Sequence, residues 1–247
     1  MSPLLGKIIG LGFVLLLLAA VAVPPIVRRT RRNARSGALA KLAAEQGWTY
    51  VAAGDAVLPL VRWLPGSYGR VVDQITDKLL RMDGPTRLRV TSAAANVIEA
   101  NADGRDLQIF DWVAFHAVRK GTGSVPHMHT VWAIELPRVP FWLQAASMAQ
   151  RWDEWQPGTW FATGDADFDR RFRVSGDDAA RMRAGLTTET RRLLLDSGFD
   201  GWRLEPEFRM LLLWTYSLRR HAPVEQIVEL SHRAVRLAAA ASTVGAA

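Results

Sequence analysis

The sequence of 247 residues contains no cysteine. This absence excludes disulfide bonds, a thiolate nucleophile, and zinc or iron–sulfur sites built on cysteine ligands. The Gly-x4-Gly-Lys-Ser/Thr frame of a phosphate-binding loop and the Gly-x-Ser-x-Gly frame of a serine hydrolase are also missing. The sequence therefore does not indicate a familiar catalytic class, and it predicts no bound cofactor.

Acidic residues are absent from the first 44 positions, since the first Asp or Glu is Glu45. Seven Lys and Arg precede it, and the other 24 Lys and Arg are balanced by all 24 Asp and Glu. The formal net charge of +7 is therefore confined to the amino-terminal part. A nucleic-acid-binding protein usually carries a basic face on its folded domain, so we predict no nucleic-acid partner.

Charged residues are also absent from the twenty positions 8–27, which follow a short amino-terminal segment, 1–7. A helix of this length covers about 30 Å, the thickness of the hydrocarbon core of a bilayer. A helix buried in a globular core normally has a polar stripe, and this segment has none. The sequence therefore predicts a single-pass transmembrane helix at 8–27, with the lipid bilayer as a partner.

Arginines follow the apolar segment, whereas only Lys7 and the amino terminus precede it. Because the side richer in Lys and Arg stays in the cytoplasm, we expect the carboxyl-terminal part to be cytoplasmic. We also expect these arginines to contact anionic lipid headgroups: Arg28, Arg29, Arg31, Arg32 and Arg35. The alternative is an export signal, either cleaved at Ala20-Val21-Ala22 or left uncleaved, which would place the domain outside the membrane.

The rest of the chain predicts an α+β fold in which a mainly antiparallel sheet packs with helices. A basic juxtamembrane segment, 28–47, contains a short helix at 33–46 and precedes a soluble domain at 48–242 and a disordered tail at 243–247. The clearest strand signal is a hairpin at 93–116 around Asp103-Gly104. Further strands are predicted at 48–51, 129–137 and two within 201–217, and helices at 176–198 and 222–242.

Four stretches of this layout resemble a group of uncharacterised actinobacterial proteins with one amino-terminal membrane helix, which are related to a broader bacterial domain of unknown function. The stretches are AAEQGWTYVAAGD, GRDLQIFDW, DADFDRRFRVSGDDAARMRAGLTTETRRLLLDS and GWRLEPEFRMLLLWTYSLRR. The resemblance implies a membrane-anchored α+β domain. It implies no established activity and supplies no catalytic residues.

Alternating acids at Asp165, Asp167 and Asp169 match the start of a calcium-binding loop. Such a loop needs glycine at its sixth position and a carboxylate at its twelfth. These positions hold Arg170 and Gly176, so the stretch is interpreted as a charged surface around packed phenylalanines.

His127 and His129 have the spacing of two ligands on one face of a strand, and His116 lies one hairpin away. Neutral imidazoles bind zinc or copper. No carboxylate follows a familiar ligand pattern nearby, so we predict no metal site.

These observations favour a membrane-anchored, non-enzymatic interaction or scaffold module at the cytoplasmic face, with a protein partner whose identity the sequence leaves open. One alternative is a membrane-bound enzyme with an unrecognised hydrolase-type site. Another is an outward-facing protein of the cell envelope.

Overall fold

The computed structural model describes residues 33–53, 93–117, 124–139, 143–147, 159–176, 178–206, 209–217 and 221–243. The predicted membrane helix at 8–27, the segment 1–7 and the arginines before residue 33 lie outside these ranges. Within the described ranges, no helix is both long and apolar enough to cross a membrane.

Nine strands form one sheet in which every neighbouring pair is antiparallel. They are β1 (Thr49–Ala53), β2 (Ala93–Ala102), β3 (Arg105–Ala117), β4 (Ser124–Glu135), β5 (Leu143–Ser147), β6 (Thr159–Phe161), β7 (Phe172–Gly176), β8 (Gly201–Glu205) and β9 (Met210–Ser217). Their order across the sheet is β1-β2-β3-β4-β9-β8-β5-β7-β6.

Five helices accompany the sheet in the described part of the chain. They are α1 (33–46), α2 (Ala166–Arg171), α3 (Ala179–Gly185), α4 (Thr188–Ser197) and α5 (Ile227–Thr243), the last preceded by a 3₁₀ turn at Val224–Gln226. The prediction of an α+β fold with a mainly antiparallel sheet is confirmed for these residues.

The predicted hairpin is formed by β2 and β3. Its two turn residues, Asp103 and Gly104, have φ angles of 50° and 74°, the positive values that a two-residue turn requires. Both faces of β3 are buried, because Ile109 is 2% exposed and Phe110 is 0% exposed. Consistent with two apolar faces, β3 is an interior strand, paired with β2 and β4.

The main core lies between one face of the sheet and the helices. Trp132 and Trp202 come from the sheet, and Leu194, Ile227 and Leu237 are among the helical residues that pack there. The second face carries a separate apolar group, made only of strand residues among those described: Val97, Phe110, Trp112, Val131, Ala133, Ala146, Leu212 and Trp214.

Helix α1 belongs to this main core. Its residues Leu39 and Ala43 are 2% and 1% exposed and pack with the sheet and the other helices. The core of the structure thus extends across the predicted boundary at Trp48, which places α1 in the juxtamembrane segment. The helical period shows which face of α1 is apolar, but not which surface that face packs against.

Strand β4 begins at Ser124, five residues before the predicted start at His129. The glycines and the proline of this stretch are typical of a loop, so the sequence predicts a later start. Pro126 pairs with Phe115 of β3, and among the described residues the pairing of β4 with β9 begins at Met128.

Candidate functional site

A group of polar side chains lies on the helix-covered face of the sheet, between α1 and the start of the 3₁₀ turn. We call it the polar cluster, and it consists of Arg35, Asn96, Asp111, Thr130 and His221. The cluster joins α1, three adjacent strands and the segment before α5, although some of these residues are far apart in sequence.

Asp111 is the centre of the cluster. It lies in the middle of β3, and its side chain is 3% exposed. A carboxylate buried this deeply is stable only when it is paired and hydrogen-bonded. Its Oδ1 and Oδ2 atoms accept hydrogen bonds from Arg35, Asn96 and Thr130.

Arg35 of α1 binds this carboxylate in bidentate fashion. Its Nε donates to Oδ2 of Asp111 at 2.6 Å, and its Nη2 donates to Oδ1 at 2.8 Å. Its Nη1 donates to the carbonyl of Ala222 at 2.7 Å. A planar guanidinium matches a carboxylate in this way, which makes the contact both strong and directional.

Asn96 reaches Asp111 through a β-bulge. Ala95 pairs with Asp111 and Ile98 with Ile109, so two residues of β2 oppose one residue of β3. Asn96 has a φ of 55°, a conformation that asparagine tolerates better than most residues. Its Nδ2 donates to Oδ2 of Asp111 at 2.9 Å.

The amide oxygen of Asn96 is held by two hydroxyl groups. The Ser36 hydroxyl donates to it at 2.7 Å and the Tyr50 hydroxyl at 2.8 Å. Asn96 thus connects Asp111 to both α1 and β1, and its amide orientation is set by these contacts.

Thr130 connects Asp111 to the segment before α5. Its hydroxyl donates to Oδ1 of Asp111 at 3.1 Å and accepts a hydrogen bond from the Ala222 N–H at 3.0 Å. Asp111 and Thr130 are register partners in the β3–β4 ladder, so the pairing of the strands places the two side chains side by side.

His221 completes the cluster. Its Nδ1 lies 2.9 Å from the carbonyl oxygen of His129, which requires a proton on Nδ1, and 3.3 Å from Oδ1 of Asp111. Burial lowers the pKa of His221 below its ordinary value; Asp111 opposes this shift and Arg35 adds to it. The imidazole is therefore neutral at neutral pH.

This geometry suits a structural ion pair better than a general base. In a catalytic Asp–His pair the carboxylate stabilises the imidazolium ion. Here Arg35 neutralises Asp111, and the pKa of His221 is lowered rather than raised. The cluster ties α1 to the sheet by charge-assisted hydrogen bonds.

Among the arginines predicted to contact headgroups, the structure describes Arg35 alone. Its side chain is 17% exposed and its guanidinium is bound to Asp111 and Ala222, so it faces the domain interior. The prediction for Arg28, Arg29, Arg31 and Arg32 falls on residues outside the described ranges.

The three alternating acids have structural partners. Asp165 caps α2 by accepting from the Phe168 N–H and also binds Arg191, and these contacts lower its pKa. Asp169 accepts from the backbone N–H groups of Thr163 and Gly164. The third acid, Asp167, pairs with Arg170.

The histidine pair is divided between different contacts. His129 is buried, its ring centroid lies 4.9 Å from that of Trp112, and its carbonyl binds His221. His127 pairs with Ala114 in the β3–β4 ladder. Among the described residues, no group of three or more His, Asp or Glu side chains is arranged to hold a metal ion.

Sequence reasoning missed most of the polar cluster. Asp111 shares one face of β3 with Leu107 and Ile109, and a lone acid among such residues is the available signal of a buried ion pair. No pattern in the sequence links Asp111 to Arg35, since 76 positions separate them.

Comparisons with family models, curated proteins and solved structures found no match to this chain. The resemblance to actinobacterial membrane proteins remains a prediction.

Proposed function

We propose that the chain is a membrane-anchored, non-enzymatic interaction module whose α+β domain lies at the cytoplasmic face and binds a protein partner. The observation that carries this proposal is the attachment of α1 to the sheet by Arg35 and Asp111. That attachment links the folded domain to the chain segment that contains the basic residues and the apolar run.

The length of the connection supports this arrangement. Arg35 follows Val27, the last residue of the apolar segment, by eight positions. Each residue extends the chain by at most about 3.5 Å, so these eight positions cover no more than about 28 Å. If 8–27 spans a bilayer, the polar cluster is held close to the headgroup region.

A comparison of energies supports a division of roles among the arginines. A cation near an anionic membrane surface gains about 1 kcal/mol. Removing one partner of a buried ion pair costs about 3–5 kcal/mol. Arg35 therefore stays with Asp111, and headgroup contacts fall to Arg28, Arg29, Arg31 and Arg32.

The hydrogen bonds of the polar cluster are made internally, and this supports a binding role for the domain rather than a catalytic one. Arg35, Asn96 and Thr130 direct their hydrogen bonds toward Asp111 rather than toward an open site. A fully paired network of this kind rigidifies a fold, and in this proposal the outer surface of the rigid domain is what a partner contacts.

A measurement of membrane topology tests this proposal. A reporter active only outside the membrane and one that fluoresces only inside would be fused to the carboxyl end at Ala247, each on its own copy of the full chain. We expect signal from the inside reporter, membrane association, and an intact amino terminus by mass spectrometry. Signal from the outside reporter, or cleavage after Ala22, would overturn the anchored cytoplasmic arrangement.

A matched pair of variants sharpens the test. Replacing Arg28, Arg29, Arg31 and Arg32 by Ser removes most of the charge bias, so a measurable fraction of the chains should invert. Arg35→Ser leaves four arginines in place and should keep the orientation. Equal behaviour of the two variants would show that the arginine run does not set the topology.

A further inference from the structure

We propose that Asp111, Asn96, Thr130 and the Ala222 carbonyl form a guanidinium-binding site, which Arg35 fills within the same chain and which accepts a free guanidinium cation when Arg35 is absent. Each guanidinium nitrogen of Arg35 has its own acceptor: Nε binds Oδ2 of Asp111, Nη2 binds Oδ1, and Nη1 binds the Ala222 carbonyl.

The site is organised by contacts that do not involve α1. Asn96 and Thr130 orient the two oxygens of Asp111 from β2 and β4. Tyr50 of β1 holds the amide of Asn96, and Thr130 holds the Ala222 N–H beside the accepting carbonyl. Because these contacts come from the strands and not from Arg35, we expect the acceptors to stay in place without it, and preorganisation of this kind favours binding.

The arrangement selects a guanidinium over an ammonium ion. A guanidinium presents its donors in one plane as a rigid fork, whereas an ammonium is a compact point charge. The two Asp111 oxygens and the Ala222 carbonyl are contacted by three different nitrogens. A single ammonium nitrogen cannot reproduce that spacing.

Occupancy of the site controls how firmly α1 is held. In α1, Leu39 and Ala43 are buried and Leu42 is partly buried against the core, so three apolar side chains share the attachment of this helix with its polar contacts. Arg35 and Ser36 supply its contacts with the polar cluster. The guanidinium site is therefore a releasable attachment for α1, and this inference does not depend on membrane anchoring.

Chemical rescue tests the proposal. The full chain carrying Arg35→Ala, in an uncharged detergent, would be titrated with millimolar methylguanidinium, and unfolding would be followed by tryptophan fluorescence. A ligand at ten times its Kd should raise the Tm of Arg35→Ala by about 3–6 °C. Wild-type protein should not respond, because its site is occupied.

Two controls decide the result. Methylammonium should not rescue Arg35→Ala, and methylguanidinium should not rescue Arg35→Ala combined with Asp111→Asn. Rescue by methylammonium to the same extent, or rescue of the double variant, would overturn the proposal.

The test remains decisive if Arg35→Ala does not fold without an added cation. Arg35→Ala would then be refolded with and without methylguanidinium, and recovery of cooperative unfolding only with the cation would support the site. Failure of the cation to restore folding, while Arg35→Lys folds under the same conditions, would overturn it.

Discussion

The indole ring of Trp214 lies directly over Gly201, its register partner in the β8–β9 ladder. A Cβ atom added to Gly201 would be 2.1 Å from Cζ2 of Trp214, far closer than two carbon atoms can approach. The glycine is therefore required for space. It allows the ring, which is 2% exposed, to pack against the second face of the sheet.

The first prediction concerns this contact. Gly201→Ala should destabilise the protein by about 3 kcal/mol, because overpacking at a buried, doubly paired strand position forces the ring or the strand to move. This corresponds to a fall in Tm of about 6–12 °C, measurable by thermal unfolding.

Gly37→Ala is the matched control, since nothing lies within 4 Å of a Cβ there. This substitution should stabilise α1 by about 0.5–1 kcal/mol. Equal losses in both variants would contradict the steric explanation.

The second prediction concerns the buried carboxylate. Asp111→Asn keeps the shape of the side chain but removes its charge, leaving Arg35 without a counter-ion. We expect a loss of about 3 kcal/mol, at the lower end of the range for broken buried pairs because Arg35 is 17% exposed. Denaturant unfolding would measure the change in the free energy of unfolding.

Two comparisons make this second prediction specific. Asp106→Asn, on the exposed surface of the same strand, should change stability by no more than about 0.5 kcal/mol. Replacing both Arg35 and Asp111 by apolar residues should cost less than the sum of the single changes. Additive losses in the double variant would show that the two residues do not act as a pair.

Much of the fold could be predicted because its signals are local. The Asp103-Gly104 turn depends on two residues adjacent in sequence, and the structure confirms it. The stretch 165–176, interpreted from the sequence as a charged surface around packed phenylalanines, contains a helix and a strand, since α2 ends at Arg171 and β7 begins at the next residue.

The polar cluster could not be predicted because its parts are brought together only by tertiary structure. Arg35 carries the same sequence signal as Arg31 or Arg32, namely a cation near an apolar run. Its position beside Asp111 follows from the docking of α1 through Leu39 and Ala43. The bulge at Asn96 gave no signal either, since it interrupts a stretch that reads as an ordinary strand.

The third prediction concerns the start of α4. The Thr187 hydroxyl accepts a hydrogen bond from the Thr190 N–H at 3.2 Å, satisfying one of the free donors of the first turn. Thr187→Ala should therefore cost about 0.5–2 kcal/mol in the free energy of unfolding. Thr188→Ala, one position further into the helix, keeps the cap and should cost less. A larger loss for Thr188→Ala would show that the cap is misassigned.

The fourth prediction concerns pH. Burial lowers the pKa of His221 below its ordinary value of 6.5, so the unfolded chain takes up a proton at a higher pH than the folded chain does. Stability should consequently fall as the pH drops below about 6.5, until the lower folded pKa is reached, by at most about 1.4 kcal/mol per pH unit from this group.

His221→Gln retains a donor for the His129 carbonyl but cannot titrate, so its stability should decline less between pH 7.5 and 5. Arg35 and Asp111 are the charged partners of His221 and are unchanged in this variant, which isolates the histidine. Parallel pH profiles of the wild-type protein and His221→Gln would contradict the lowered pKa, and so would an NMR titration of the His221 ring at or above 6.5.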